Sequence, residues 1–234
     1  MNRKVKIAII IVIIALLASV AYYFLDYNHA DETANKYLNG TSDVNVSKVD
    51  NGVFLDGYGN DTALIFYPGA KVEYTSYLPM FTELASRGVD CYLLEMPLNF
   101  AFFGADEADS IIDSTNYTHY VLSGHSLGAV TASSYLNNTG KADGIVLLSG
   151  YSTEKIDKPV LSVYGSLDGV LNMEKYNESK ALMGNLTEFV IEGGNHAQFG
   201  NYGEQPGDMK AEISPQDQQN QCVDNIVEFV DALN

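Results

Sequence analysis

Apolar residues are distributed along the chain in two different ways. Residues 7–25, IAIIIVIIALLASVAYYFL, form one unbroken run with no charge and a single non-aromatic polar side chain, Ser19. At 1.5 Å per helical residue the run covers roughly 28 Å, about the thickness of a bilayer hydrocarbon core. Nothing in it is amphipathic, which separates it from a helix buried along one stripe. Beyond residue 43 the apolar residues come in short runs, separated by stretches with helical spacing. Strands are expected at Val44–Val49, Val53–Leu55, Ala63–Tyr67, Cys91–Leu94, Tyr120–Ser123, Gly144–Leu148, Val160–Tyr164 and Glu188–Ile191. Most are continuous, as in strands covered by helices on both faces. Helices are expected at Tyr74–Arg87, Ala105–Asp113, Leu127–Leu136, Met173–Met183 and Pro215–Leu233. This alternation predicts a doubly wound α/β fold with a mostly parallel sheet, whose ligands bind beyond the carboxyl ends of the strands. Residues 26–43, polar and without periodicity, read as a stalk, which leaves residues 44–234 as one domain.

Charge gives the long apolar run a direction. Arg3, Lys4 and Lys6 precede it; Asp26, Asp31 and Glu32 follow it, and the next cation is Lys36. The positive-inside rule makes residues 1–6 a cytoplasmic tip, residues 7–25 a single-pass signal-anchor in the cell membrane, and the remainder extracytoplasmic. Tyr22, Tyr23 and Phe24 extend the run with interfacial aromatics, which favours an uncleaved anchor. The alternative is a signal peptide cut after Ser19-Val20-Ala21, giving a secreted domain. The triplet Asn-x-Ser/Thr occurs at Asn39, Asn45, Asn60, Asn116, Asn137, Asn177 and Asn185. Chance gives about two or three such sites, so the excess also suits export.

Composition then narrows the function. The 234 residues carry 13 Lys+Arg against 30 Asp+Glu, a net charge of −17. Residues 1–25 hold three of the cations and no acid, so the remainder carries −20. Binding nucleic acid needs clustered cations and is excluded, and anionic substrates are disfavoured. Cys91 and Cys222 make neither a disulfide scaffold nor a metal-ligand pattern.

The strongest chemical signal is Gly124-His125-Ser126-Leu127-Gly128, between the apolar run Tyr120-Val121-Leu122 and a helical stretch of small residues. This is a G-x-S-x-G nucleophile elbow in its strand–turn–helix setting, where glycines relieve the crowding of a strained turn. A serine needs a base. Of four histidines, His29 lies in the stalk, His119 opens a strand, and His125 is the variable elbow residue, expected to point away from the reacting atom. His196 follows the strand Phe189-Val190-Ile191 in a glycine-rich loop and is the candidate base. The orienting acid is expected at Asp168, just past the strand at Val160–Tyr164; Glu154 and Asp157 are weaker candidates. The order Ser126…Asp168…His196, each past an apolar strand, selects them together. The amides of Leu127, behind the nucleophile, and Ala70, in Tyr67-Pro68-Gly69-Ala70, are the candidate oxyanion donors.

These residues resemble the α/β-hydrolase superfamily over roughly residues 50–234. The segments Tyr67-Pro68-Gly69, Glu95-Met96-Pro97-Leu98-Asn99, the elbow, and Gly194-Asn195-His196-Ala197-Gln198-Phe199-Gly200-Asn201-Tyr202-Gly203 look like its small dienelactone-hydrolase-like branch, often labelled α/β hydrolase fold-5. The resemblance implies a Ser126–His196–Asp168 triad, although dienelactone hydrolases proper use cysteine as nucleophile. Only Ser149–Pro159 separates two strands where many superfamily members insert a lid, so a lidless site open to small or exposed esters is expected. Phe100, Phe102 and Phe103 are read as core of the following helix rather than as lining of an acyl pocket. A membrane-anchored serine carboxylesterase without metal or organic cofactor is the expectation. An acyltransferase with the same triad and a non-catalytic surface-binding module are the alternatives.

Overall fold

A computed structural model describes residues 2–59 and 61–233; Met1, Asn60 and Asn234 lie outside the described residues, and with Asn60 one of the seven acceptor asparagines. The other six are all exposed. The strands are β1 (Asn45–Val49), β2 (Gly52–Asp56), β3 (Thr62–Tyr67), β4 (Asp90–Leu94), β5 (His119–His125), β6 (Gly144–Leu148), β7 (Val160–Gly165) and β8 (Leu186–Ile191). Each coincides with an expected run, lengthened or shortened by at most two residues at an end. The α-helices are α1 (Arg3–Leu25), α2 (Glu32–Asn35), α3 (Leu78–Ser86), α4 (Ala108–Ile112), α5 (Leu127–Thr139), α6 (Met173–Ser179) and α7 (Pro215–Asp231).

The strands form one sheet in the order β1-β2-β4-β3-β5-β6-β7-β8. The β1–β2 and β2–β4 pairs are antiparallel and all other neighbours are parallel. Because side chains alternate along a strand, each central strand feeds two cores. Leu64, Phe66, Val121, Val146, Leu148, Leu161 and Val163 face α3 and α7, meeting Phe81, Leu84, Val223 and Ile226. Ile65, Tyr67, Leu122, Ile145 and Leu147 face the other way, onto Ile111 of α4 and Ala129, Ala132 and Leu136 of α5. Covering on both faces is why these strands read as unbroken apolar runs. Local chemistry sets the helix ends. Ser214 caps α7, its side chain accepting from the Asp217 amide, with Pro215 in the first turn. Gly140, at φ 65°, ends α5 and returns its N–H to Leu136 O.

Among the described residues, 149–159 contain no helix or strand, so nothing lies over the sheet between β6 and β7 as a lid domain. The helix α1 is long and apolar enough to cross a membrane and has no buried residue.

Two expectations are corrected. Residues 26–43 are not a detached stalk. Asn28 bridges Val72, donating its N–H to Lys71 O at 2.7 Å, and the Asp31 N–H reaches Asn201 O at 2.8 Å. Ala34 of α2 is fully buried. Polarity suggested a linker, but the segment's backbone pairs with loop backbone on the domain, a pairing that side-chain polarity does not reveal. The phenylalanines also differ from expectation. The α4 helix begins only at Ala108, and Ala101–Gly104 form a separate 3-10 turn. Phe100 is buried, but Phe102 and Phe103 are about half exposed rather than in the core.

Candidate active site

Ser126 sits where β5 hands over to α5, with φ 53° and ψ −120°. For a residue with a Cβ this backbone is strained by about 1–3 kcal/mol, and such strain persists only where the surroundings dictate it. Two glycines do so. A Cβ on Gly124 would lie 2.4 Å from the Gly128 carbonyl carbon, and one on Gly128 would lie 2.2 Å from Tyr67 O. The elbow is therefore wedged between its own helix and the end of β3, and the Ser126 amide is fixed to Leu148 O of β6 at 2.9 Å.

Asp168 and His196 meet beyond the carboxyl ends of β7 and β8. His196 Nδ1 lies 2.9 Å from Asp168 Oδ2 and 3.1 Å from Oδ1, both side chains almost wholly buried. The Asp168 carboxylate also accepts the amides of Val170 at 2.9 Å and Leu171 at 2.7 Å. Burial opposes its charge, but the contacts with His196 and the Leu171 amide outweigh it and hold the carboxyl below its usual range. His196 Nε2 is buried and has no hydrogen-bond partner among the described residues, so the Ser126 Oγ–Nε2 bond is not formed in this structure. The amides of Leu127 and Ala70 donate to no protein acceptor among the described residues.

His125, together with three residues that sequence reasoning passed over, Tyr77, Asp208 and Gln218, holds this arrangement. His125 is fully buried, and its Nε2 lies 3.1 Å from His196 O. A carbonyl acceptor requires the proton on Nε2, so Nδ1 accepts from Tyr77 Oη at 2.8 Å. The Tyr77 oxygen in turn accepts the Gly69 amide at 3.2 Å. Burial, with His196 adding to it, pushes the His125 imidazole well below its ordinary value of 6.5 and keeps it neutral. The expectation that His125 points away from the reacting atom thus needs amending: it links the loop after β3 to the loop carrying His196. Asp208 does the same from the other side. Its Oδ1 accepts the amides of Gly169, His196 and Met209 at 3.0, 3.2 and 2.9 Å, and its Oδ2 that of Ala197 at 2.8 Å. From α7, buried Gln218 completes the clamp, accepting the Asn195 amide at 2.9 Å and donating to Asn195 O at 2.7 Å. Glu154, the weaker acid candidate, is occupied with Ser134 and Asn137, and Asp157 pairs with Lys155. A hollow of about 380 Å³ lined by Asp31, Asn195, Gln198, Asp208 and Lys210 includes none of Ser126, Asp168 or His196.

A mostly parallel sheet in this strand order, with a strained serine between the fifth strand and the following helix, defines an α/β hydrolase fold. The chain belongs to the alpha/beta hydrolase family, whose profile matches residues 63–220. No curated protein sequence matches it. Solved structures share the fold at low identity. A bacterial membrane phospholipase A described as a virulence factor is 12% identical, with TM-score 0.62 over 98% of this chain and 99% of that one. An α/β hydrolase from the metagenome of lagoon sediments at Mar Chica, Morocco, is 15% identical, with TM-score 0.60 over 80% of this chain and 99% of that one. A protein from Thermoplasma acidophilum described as a predicted CIB-like hydrolase is 13% identical, with TM-score 0.58 over 78% of this chain and 97% of that one.

Proposed function

We propose that the protein is a serine hydrolase of the carboxylic-ester type. The observation that carries this reading is the positive φ of Ser126 at the elbow, a strain that a purely structural serine has no need of. Ser126 Oγ attacks the ester carbonyl while His196 Nε2 takes its proton. Asp168 holds the imidazole tautomer and stabilises the imidazolium. The amides of Leu127 and Ala70 stabilise the tetrahedral oxyanion, His196 returns the proton to the departing alkoxide, and water releases the acyl group by the same route. The Ser126–His196 bond that this requires is of the kind that is long in a free enzyme and tightens around substrate. With no lid, small or exposed esters reach Ser126 directly. Residues 7–25 anchor the protein in the cell membrane, with the catalytic domain on the extracytoplasmic side.

A fluorophosphonate probe tests the chemistry on the full chain: it labels the parent and spares Ser126→Ala. Equal labelling of both, or of neither, overturns the reading. Protease added to intact cells tests the topology. The domain is expected to be cut, and its protection until lysis would reverse the orientation.

A further inference from the structure

The membrane end of α1 does not stop at the bilayer; it rests on the domain. Tyr23 and Phe24 meet Phe100 with ring centroids 6.4 and 5.7 Å apart, and Phe24 lies 6.3 Å from Phe103. Lys71 Nζ stands 4.7 Å over the Tyr23 ring and 3.3 Å from Asp26. Around this junction the apolar surface continues outward. Phe102 and Phe103, 4.3 Å apart, are 50% and 49% exposed, and Leu98 is 50% exposed. Large apolar side chains in one exposed patch are uncommon on a surface that faces only water. Leu98 and Asn99 both take left-handed backbone, φ 54° and 56°, and the Lys71 N–H donates to Asn99 O at 2.7 Å. That bond ties the patch to the residue next to Ala70. The patch and α1 both sit at the carboxyl ends of β3 and β4, the end of the sheet where Ser126, Asp168 and His196 lie.

From this continuity we propose that Leu98, Phe102 and Phe103 dock into the bilayer interface that holds α1. Docking turns the carboxyl edge of the sheet towards the lipid, so the substrate is an acyl ester resident in that membrane. The proposal rests on the anchor and serine-hydrolase readings above. Without a lid, an acyl chain passes from bilayer to Ser126 without a domain having to open. The net −20 charge of residues 26–234 favours neutral or zwitterionic head groups over anionic ones.

The test uses the full chain in phosphatidylcholine vesicles, with and without brominated lipid as a contact quencher. Cys91 and Cys222 are fully buried, so a cysteine introduced at one surface site takes a bimane label selectively. Labels go at Phe103→Cys, at Leu16→Cys within α1, and at Tyr58→Cys, 90% exposed at the opposite end of the sheet. Quenching at 16 and 103 with little at 58 is expected. Quenching at 16 alone, or a blue shift at 103 without quenching, as a second copy of the chain would cause, overturns the docking and leaves the anchor standing. Quenching at neither 16 nor 103 overturns both. In parallel, F102S/F103S is expected to lose about tenfold or more of its activity on a long-chain ester carried in vesicles, while a soluble short-chain ester is cleaved as by the parent. Equal activity on both overturns the substrate class. A parent that cleaves neither ester and resists the fluorophosphonate overturns the hydrolase reading together with the substrate class, while the quenching result still decides the docking.

Discussion

The imidazole of His125 donates from Nε2 to the backbone carbonyl of His196 at 3.1 Å, so the residue beside the nucleophile is bonded to the loop of the base. Removing that imidazole strips partners from two buried groups, His196 O and Tyr77 Oη. Each such loss costs about 1–3 kcal/mol. His125→Phe is therefore expected to lower stability by about 2–6 kcal/mol in urea unfolding. It should also lower kcat more than it raises KM, because the base is displaced while the substrate surface stays intact. A variant as stable and active as the parent would show that the link carries nothing.

Asp208 is expected to act as a positioning residue. It touches no candidate reacting atom, yet it binds the amides of the residue after Asp168, of His196 and of Ala197. Asp208→Ala releases both loops, and a misplacement of about 1 Å can cost about a hundredfold in rate. A fall in kcat of about tenfold to a hundredfold at near-constant KM is expected. Asp208→Asn keeps an oxygen for the three amides on Oδ1 and should recover most of the loss. Failure of Asn to rescue, or a KM effect alone, would point to a different role.

Most of the strands, and two of the three reacting side chains, are visible in the sequence for one physical reason. The central parallel strands β3 to β7, buried on both faces, must be apolar, and Ser126 and Asp168 stand just past two of them; His196 follows the half-exposed edge strand β8 and is marked instead by its glycine-rich loop. The elbow glycines are visible because only glycine fits against Tyr67 O and the start of α5. Asp208, Tyr77 and Gln218 carry no such signature. Asp208 and Gln218 act through side-chain bonds to backbone 11 and 23 residues away, and Tyr77 through a bond to the His125 imidazole 48 residues on, between segments with no shared periodicity. The segment 26–43 and the pair Phe102–Phe103 misled in opposite directions. Residues 26–43 packed on the domain through backbone pairing that their polarity hides, and the apolar pair stayed outside because its turn ends before α4 begins.

Strain at the elbow predicts a gain in stability when function is discarded. Ser126→Gly relaxes a φ of 53° that costs about 1–3 kcal/mol, less the flexibility that glycine adds to the unfolded chain, about 0.4–1 kcal/mol. A net stabilisation of about 1 kcal/mol with complete loss of fluorophosphonate labelling is expected. Gly128→Ala should do the reverse, since its Cβ would enter Tyr67 O, and a loss of about 3 kcal/mol is expected in the same unfolding assay. A destabilised S126G would show that the serine is not strained as its backbone indicates.

His125 also sets the response of stability to acid. Folding keeps its imidazole neutral well below the 6.5 of the unfolded chain, so below that pH the unfolded state binds a proton that the folded state refuses. The stability it permits is complete above about pH 6.5 and is lost as the pH falls. One unit below, at pH 5.5, the loss is on the order of 1 kcal/mol. Asp168 works in a lower window. Its carboxyl is held below 3.8, so its contribution is present above that value and disappears only in stronger acid. Urea unfolding at pH 7.5 and 5.5, with the full chain in detergent, separates the two. The parent should lose on the order of 1 kcal/mol more than His125→Gln between these pH values, with Asp168 contributing nothing to the difference. Parallel losses in parent and variant would mean that His125 takes up its proton alike in the folded and unfolded chain, and that the buried neutral link to His196 is not held in solution.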